Sequence, residues 1–159
     1  MIIVADSSPL IVLLNIDHVA ILPALFGQVV IPPQVEAELL QPNRPKIVRE
    51  FMSQKPSGLK VIQPKKCDPI QYLYAGENAA ICLAAELDAE LLLIDESRGR
   101  QVAVDRQIRI AGTIGVLEMA AKANLVQLRE AFERVKRTDF WVSSDLLDRR
   151  LQAFEKHRG

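Results

Sequence analysis

The chain has 159 residues, and its 20 Lys+Arg balance 20 Asp+Glu, so the formal net charge is zero and a bulk polyanion binder is excluded; any nucleic-acid contact has to come from a local patch. A hydrophobic share of 49% beside 25% charged residues argues against disorder, and the length suits one domain closing a two- or three-layer core. The apolar start carries Asp6 and Pro9 without a positive leader, so no signal peptide is expected, and no stretch is long enough to span a bilayer.

Ile2 to Ala5 is a short apolar run with β-branched residues, suited to a strand buried on both faces. Asp6 follows at once, and Ser8 as N-cap with Pro9 as first helical residue predicts a helix through Leu14. Asp17 can cap a second short helix, which Pro23 restarts and Gly27 ends. Gln28 to Ile31 is the next strand, closed by Pro32-Pro33, and Pro33 opens a helix over Gln34 to Leu40 with Val35 and Leu39 on its buried face. Pro42 to Pro45 is a loop, Lys46 to Gln54 an amphipathic helix and Leu59 to Ile62 a third strand.

Gln63 to Pro69 reads as a basic connection, and the pattern does not place Tyr72 and Tyr74. Asn78 to Leu87 is apolar on nearly every face, as a buried helix should be. Leu91 to Ile94 is a second fully apolar strand, terminated by Asp95. A basic helix over Glu96 to Arg106, a short strand over Arg109 to Ala111 and a helix over Ile114 to Ala123 follow. Two more helices are expected at Leu128 to Arg137 and Asp145 to Phe154, the latter capped by Ser143 or Ser144. Alternating strands and helices predict a parallel sheet covered on both faces. The two cysteines fit a reduced, cytoplasmic protein, with Cys82 a small core residue and Cys67 a free loop thiol. With His18 and His157 far apart, no zinc spacing appears.

Asp6 and Asp95 are each the first polar residue after a buried strand, so parallel strands near the sheet centre would bring both out on one edge. Glu77 begins the helix that leads back into the Asp95 strand, and Glu38 lies one to two turns into the helix after the second strand; both elements start at that same edge. Each acid also has an ordinary explanation. The helix dipole alone favours Glu77 in a first turn, Asp6 and Asp95 can be plain loop residues, and helical phase does not choose Glu38 over Glu36. Taken jointly, unpaired carboxylates that converge raise one another's pKa and call for a hard cation, Mg²⁺ or Mn²⁺. A site of carboxylates without histidine or cysteine suits metal-assisted phosphate chemistry. No Walker loop, Gly-x-Gly-x-x-Gly or nucleophile elbow is present. Arg100 can face the rim or sit on a solvated helix face, and Gly112 to Gly115 can offer amides to a phosphate or simply cap a helix.

Asp6-Ser7-Ser8-Pro9-Leu10-Ile11, Val35 to Leu39, Gly76 to Ile81, Leu91 to Glu96, Arg100 with Ala103, and Gly112 to Leu117 together resemble the PIN domain family, in its PIN-like branch with a DTSPLI-type start, related to VapC toxins. The match runs in order through residues 1 to about 123. The resemblance implies an α/β/α sandwich with a central, mostly parallel sheet. The whole of 1–159 would form a single PIN-like domain, with the helices at 128–154 as an extension. It implies a metal-dependent endoribonuclease, cutting single-stranded or structured RNA with Mg²⁺ or Mn²⁺. Asp6, Glu38, Glu77 and Asp95 match the family's acidic quartet, with Asp6, Glu77 and Asp95 as metal ligands and Glu38 binding the metal or orienting water. Ser8 matches the hydroxyl residue supporting the first acid, and Glu96 and Arg100 are further supporting candidates. A homodimer and a small antitoxin partner are implied as well. Relatives often carry a second acid two residues after the Glu77 position, where this chain has Ala79. The alternative reading is a non-catalytic PIN-like module binding RNA or a partner protein.

Overall fold

The computed structural model describes residues 1–158. Five strands form one sheet: β1 (Ile3–Ala5), β2 (Val29–Ile31), β3 (Leu59–Val61), β4 (Leu91–Leu93) and β5 (Ile110–Ala111). Every pairing is parallel, in the order β3-β2-β1-β4-β5. The helices are α1 (Ser7–Asn15), α2 (Ile21–Phe26), α3 (Pro33–Leu39), α4 (Lys46–Ser53), α5 (Ala75–Glu86), α6 (Ser97–Asp105), α7 (Thr113–Lys122), α8 (Leu128–Lys136) and α9 (Ser144–Arg158). The expected α/β/α sandwich is the observed fold.

The pleat explains the two cores. Side chains alternate across a strand, so Ile3 and Ala5 of β1 join one cluster and Val4 joins the other. The larger cluster packs α1, α2, α3, α4, α7 and α8 on one face, with Phe132 of α8 and Leu147 of α9 fully inside it. The smaller sets Ile81 and Leu83 of α5 and Ala103 of α6 against Val4, Val30 and Leu92. Because β1 and β4 are buried on both faces, their sequences read as unbroken apolar runs. No helix among the described residues is long and apolar enough to cross a membrane.

Three expectations need correction. Asp6, in extended conformation, is the residue that precedes α1, and the helix begins at Ser7; Ser8 is therefore not the N-cap, and Pro9 sits in the third helical position, still within the first turn where its missing N–H costs nothing. The cysteines are not free thiols: Cys67 and Cys82 form a disulfide, their Cα atoms 5.5 Å apart. The loop before α5 doubles back along that helix, and residue spacing carries no trace of that path. Finally, α9 continues to Arg158, past the expected end at Phe154, so His157 lies in its last turn. Ser143 Oγ accepts the Leu146 N–H at its start, which selects Ser143 as the cap.

Candidate active site

Parallel pairing in register delivers the acids to one edge. Ala5 of β1 pairs with Leu93 of β4, and the Asp6 N–H continues the ladder by donating to the Leu93 carbonyl at 2.9 Å. Asp6 and Asp95 thus leave adjacent central strands at the C-terminal edge. Asp6, Glu38 and Glu77 line one pocket of about 380 Å³ with Ser7, Ser8, Arg44 and Glu96. Asp95 opens instead onto an adjoining hollow shared with Arg100 and Gly112. Glu36, which helical phase could not separate from Glu38, is absent from that lining.

The four acids are held differently. Glu38 is gripped from two sides: Ser7 Oγ donates to Oε2 at 2.7 Å and the Gly76 N–H to Oε1 at 3.0 Å. Asp95 receives the Thr113 N–H on Oδ1 at 2.7 Å, and Thr113 Oγ and Ser8 Oγ on Oδ2 at 2.7 and 2.8 Å. Ser8 therefore supports the last acid of the chain order, not the first as expected. Glu77 accepts the Tyr74 N–H on Oε1 at 3.3 Å. Its Oε2 and the Asp6 Oδ1 are buried without any hydrogen-bond partner.

Electrostatics follow from that arrangement. Burial, then the nearby carboxylates of Glu38, Glu77 and Asp95, raise the Asp6 pKa from 3.8 to about 7, against the opposing pull of the Ser7 amide. Burial likewise raises Glu77, with the Tyr74 amide opposing and Glu96 and Glu38 adding to it. Buried carboxylate oxygens without donors are costly, and carboxylates with pKa values raised this way cluster at functional sites.

A hard divalent cation fits this donor set. The lining offers carboxylates without histidine or cysteine, and two of its acids each bury an oxygen that no donor satisfies. Among the described residues no three ligand side chains stand together as a ready-made cage. Mg²⁺ commonly takes one or two carboxylates and fills its remaining positions with water, which is the number of unpartnered acids present.

Three glycines make room for the acids. A Cβ at Gly76 would fall on the Glu38 carboxylate, one at Gly99 would lie 2.9 Å from Glu77 Oε2, and one at Gly112 would lie 2.9 Å from Asp95 Oδ1. Those glycines, Ser7, Thr113 and Arg44 are the contributors that sequence reading missed. Ser7 was masked because α1 starts two residues earlier than its Ser8-Pro9 pattern predicts. Thr113 lies in the Gly-Thr-Ile-Gly segment already singled out, where its hydroxyl and amide turn out to bind a carboxylate rather than a phosphate. Arg44 Nε donates to the Glu38 carbonyl at 3.1 Å, bringing a guanidinium into the pocket lining from a loop that showed no pattern. Arg100 lies beside Asp95, its Nη1 donating to the Ile94 carbonyl at 3.0 Å. Glu96 is exposed and lines the acidic pocket, whereas Ala79 is buried in the α5 core.

A family model described as PIN domain matches residues 2–156. The chain belongs to the PIN domain family. PIN domains are commonly nucleases and typically use divalent metals. Among solved structures, a PilT N-terminus domain protein from the hyperthermophilic archaeon Sulfolobus solfataricus P2 is similar with a TM-score of 0.52 at 17% identity, covering 80% of this chain and 97% of that one; at that identity the likeness speaks for the fold. No curated protein sequence matches the chain.

Proposed function

We propose that this PIN domain is a Mg²⁺- or Mn²⁺-dependent endoribonuclease that hydrolyses RNA phosphodiester bonds at the Asp6 pocket. The observation that carries the reading is the pair of buried, unpartnered oxygens on Asp6 and Glu77. When bound, the cation would neutralise phosphate charge and favour hydroxide formation from water. Asp6 and Glu77 would hold it. Glu38, held by Ser7 and Gly76, would orient the attacking water and take its proton. Asp95 stands one step back, its oxygens occupied by Ser8 and Thr113, and keeps the charge of the rim high. Arg44 and Arg100 flank the two hollows and supply the positive charge that positions a phosphate.

The test is cleavage of a mixed-sequence RNA by the intact chain with Mn²⁺, with chelator, and in the Asp6→Asn variant. Cleavage that needs Mn²⁺ and drops at least about 10²-fold in the variant is expected for loss of a group acting directly on the reaction. Full activity in chelator, or in Asp6→Asn, would overturn the reading. One observation favours the non-catalytic alternative: with Asp95 already accepting three internal donors, the rim has fewer open carboxylates than a four-acid cage. It is separated by melting temperature, because a ligand of the folded state raises it; no rise at millimolar Mn²⁺ would favour the binding module.

A further inference from the structure

The loop between β3 and α5 combines two properties. It is tied down along its length, yet it holds two tyrosines out in solvent. Cys67 is bonded to Cys82 of α5, the Lys65 N–H donates to Glu86 Oε1 at 2.8 Å, and the Ile70 N–H donates to Asn78 Oδ1 at 3.1 Å. Tyr72, at the end of this stapled segment, is nevertheless 73% exposed and Tyr74 is 77% exposed. Tyr72 adopts φ 70°, a left-handed conformation that is unfavourable for a bulky side chain and persists only where the surroundings impose it. The Arg98 guanidinium, from the first turn of α6, lies over the Tyr72 ring at 5.3 Å from its centroid.

Tyr74 joins this loop to the acidic pocket. It is part of the pocket lining, and its N–H is the donor to Glu77 Oε1. The backbone that carries this exposed phenol ring is thereby tied to one of the two acids that carry the proposed reaction.

We propose that Tyr74, with the Tyr72–Arg98 pair beside it, is a stacking platform for unpaired nucleobases of a single-stranded polynucleotide whose phosphate enters the acidic pocket. This rests on the nuclease reading for its choice of occupant. Single strands are gripped through base faces on aromatic rings and arginine planes, together with positive charge near the backbone, and the tyrosines, Arg98 and Arg44 supply both here. A base paired in a duplex keeps its faces stacked on its neighbours, so the platform selects unpaired segments. Because every base has a π face, it grips without reading sequence.

The test reads binding alone. In an Asp6→Asn background, fluorescence anisotropy is measured with a labelled single-stranded RNA, the same sequence as single-stranded DNA, and the RNA annealed to its complement. The parent should bind both single strands more tightly than the duplex. Tyr74→Ala should weaken binding of both single strands about 10-fold, leave duplex binding and melting temperature unchanged, and be rescued by Tyr74→Phe; Tyr72→Ala should cost less. A strand of the same length made wholly of abasic nucleotides should remove the difference between Tyr74 and Tyr74→Ala. Unchanged affinity in Tyr74→Ala, equal losses on duplex and single strand, a loss confined to RNA, or no single-strand binding by the parent would each overturn the platform. If the unmutated chain binds as described but does not cut RNA with Mn²⁺, the nuclease reading falls and the platform stands.

Discussion

The acidic rim has two halves that the chain treats in opposite ways. Glu38 and Asp95 are supplied with internal donors, two on the first and three on the second. Asp6 and Glu77 are buried more deeply and each leaves an oxygen bare. A supplied carboxylate contributes to stability by satisfying its donors and itself. A bare one detracts from it and is tolerated for what it can bind, the usual exchange of stability for activity. The difference separates the acids that position from those that ligate, and it can be attacked experimentally from either side.

The largest effect should come from substituting one member of each half. Asp6→Asn is expected to lower Mn²⁺-dependent cleavage by about 10³-fold while raising the metal-free stability at pH 7.5 by about 1–3 kcal/mol, since it removes a buried uncompensated charge. Glu38→Gln should also impair cleavage but should lower stability by about 1 kcal/mol, because donors that served a carboxylate now serve a weaker acceptor. Urea denaturation in chelator measures both. Stability changes of the same sign would abolish the division of the rim.

Proton linkage sharpens the same contrast. The Asp6 pKa in the folded protein, about 7, lies above its ordinary 3.8. Between those values the folded chain holds a proton that the unfolded chain releases, so the stability associated with Asp6 is fully present below pH 3.8 and is lost as pH rises through about 7. At 1.4 kcal/mol per tenfold change in proton concentration, the loss is at most about 4 kcal/mol. Glu77 is shifted in the same direction. The metal-free chain should therefore lose stability relative to Asp6→Asn between pH 4.5 and 7.5, and added Mn²⁺ should restore more at pH 7.5 than at pH 5.5. Parallel stability curves for the two proteins would show that Asp6 finds a partner in solution.

How much of this was legible depends on what decides each feature. The sheet was, because β1 and β4 are buried on both faces and can only be continuous apolar runs. The edge shared by Asp6, Glu38, Glu77 and Asp95 was too, because parallel order fixes where each connection begins. Which acids are bare was not, because it turns on Ser7 and Ser8. Both carry hydroxyls, and the two-residue shift in the start of α1 changes which carboxylate each can reach. The Cys67–Cys82 disulfide and the entry of Arg44 depend on loop paths that follow no period. Tyr72 and Tyr74 fitted no element because they belong to none.

A smaller effect is expected at Gly76, where added volume is directed at one acid. The Cβ of Gly76→Ala falls on the Glu38 carboxylate, the far end of a flexible side chain that can swing aside at modest cost. Cleavage should fall 10- to 100-fold, the range typical of losing the support around a site, while stability drops by no more than about 1–2 kcal/mol. Gly76→Ser should behave alike. A variant that cuts normally would show that Glu38 need not hold this position.

Thr113 gives the mildest change and the cleanest one. It is fully buried, and its Oγ is one of two hydroxyls on the Asp95 Oδ2. Thr113→Val keeps the amide bond to Oδ1 and nearly the same shape, but it places a methyl group where a donor was. The loss of one hydrogen bond to a charged group should cost about 1.5–3 kcal/mol if nothing replaces it. Ser8 still serves that oxygen, so the lower end is expected. If Asp95 acts by holding the rim's charge in place, cleavage should drop by about 10-fold or less, and Thr113→Ser should restore it. If Asp95 is instead a ligand in its own right, the variant frees a lone pair, and cleavage should hold or improve even as stability falls. Measuring both quantities on Thr113→Val therefore decides to which half of the rim Asp95 belongs.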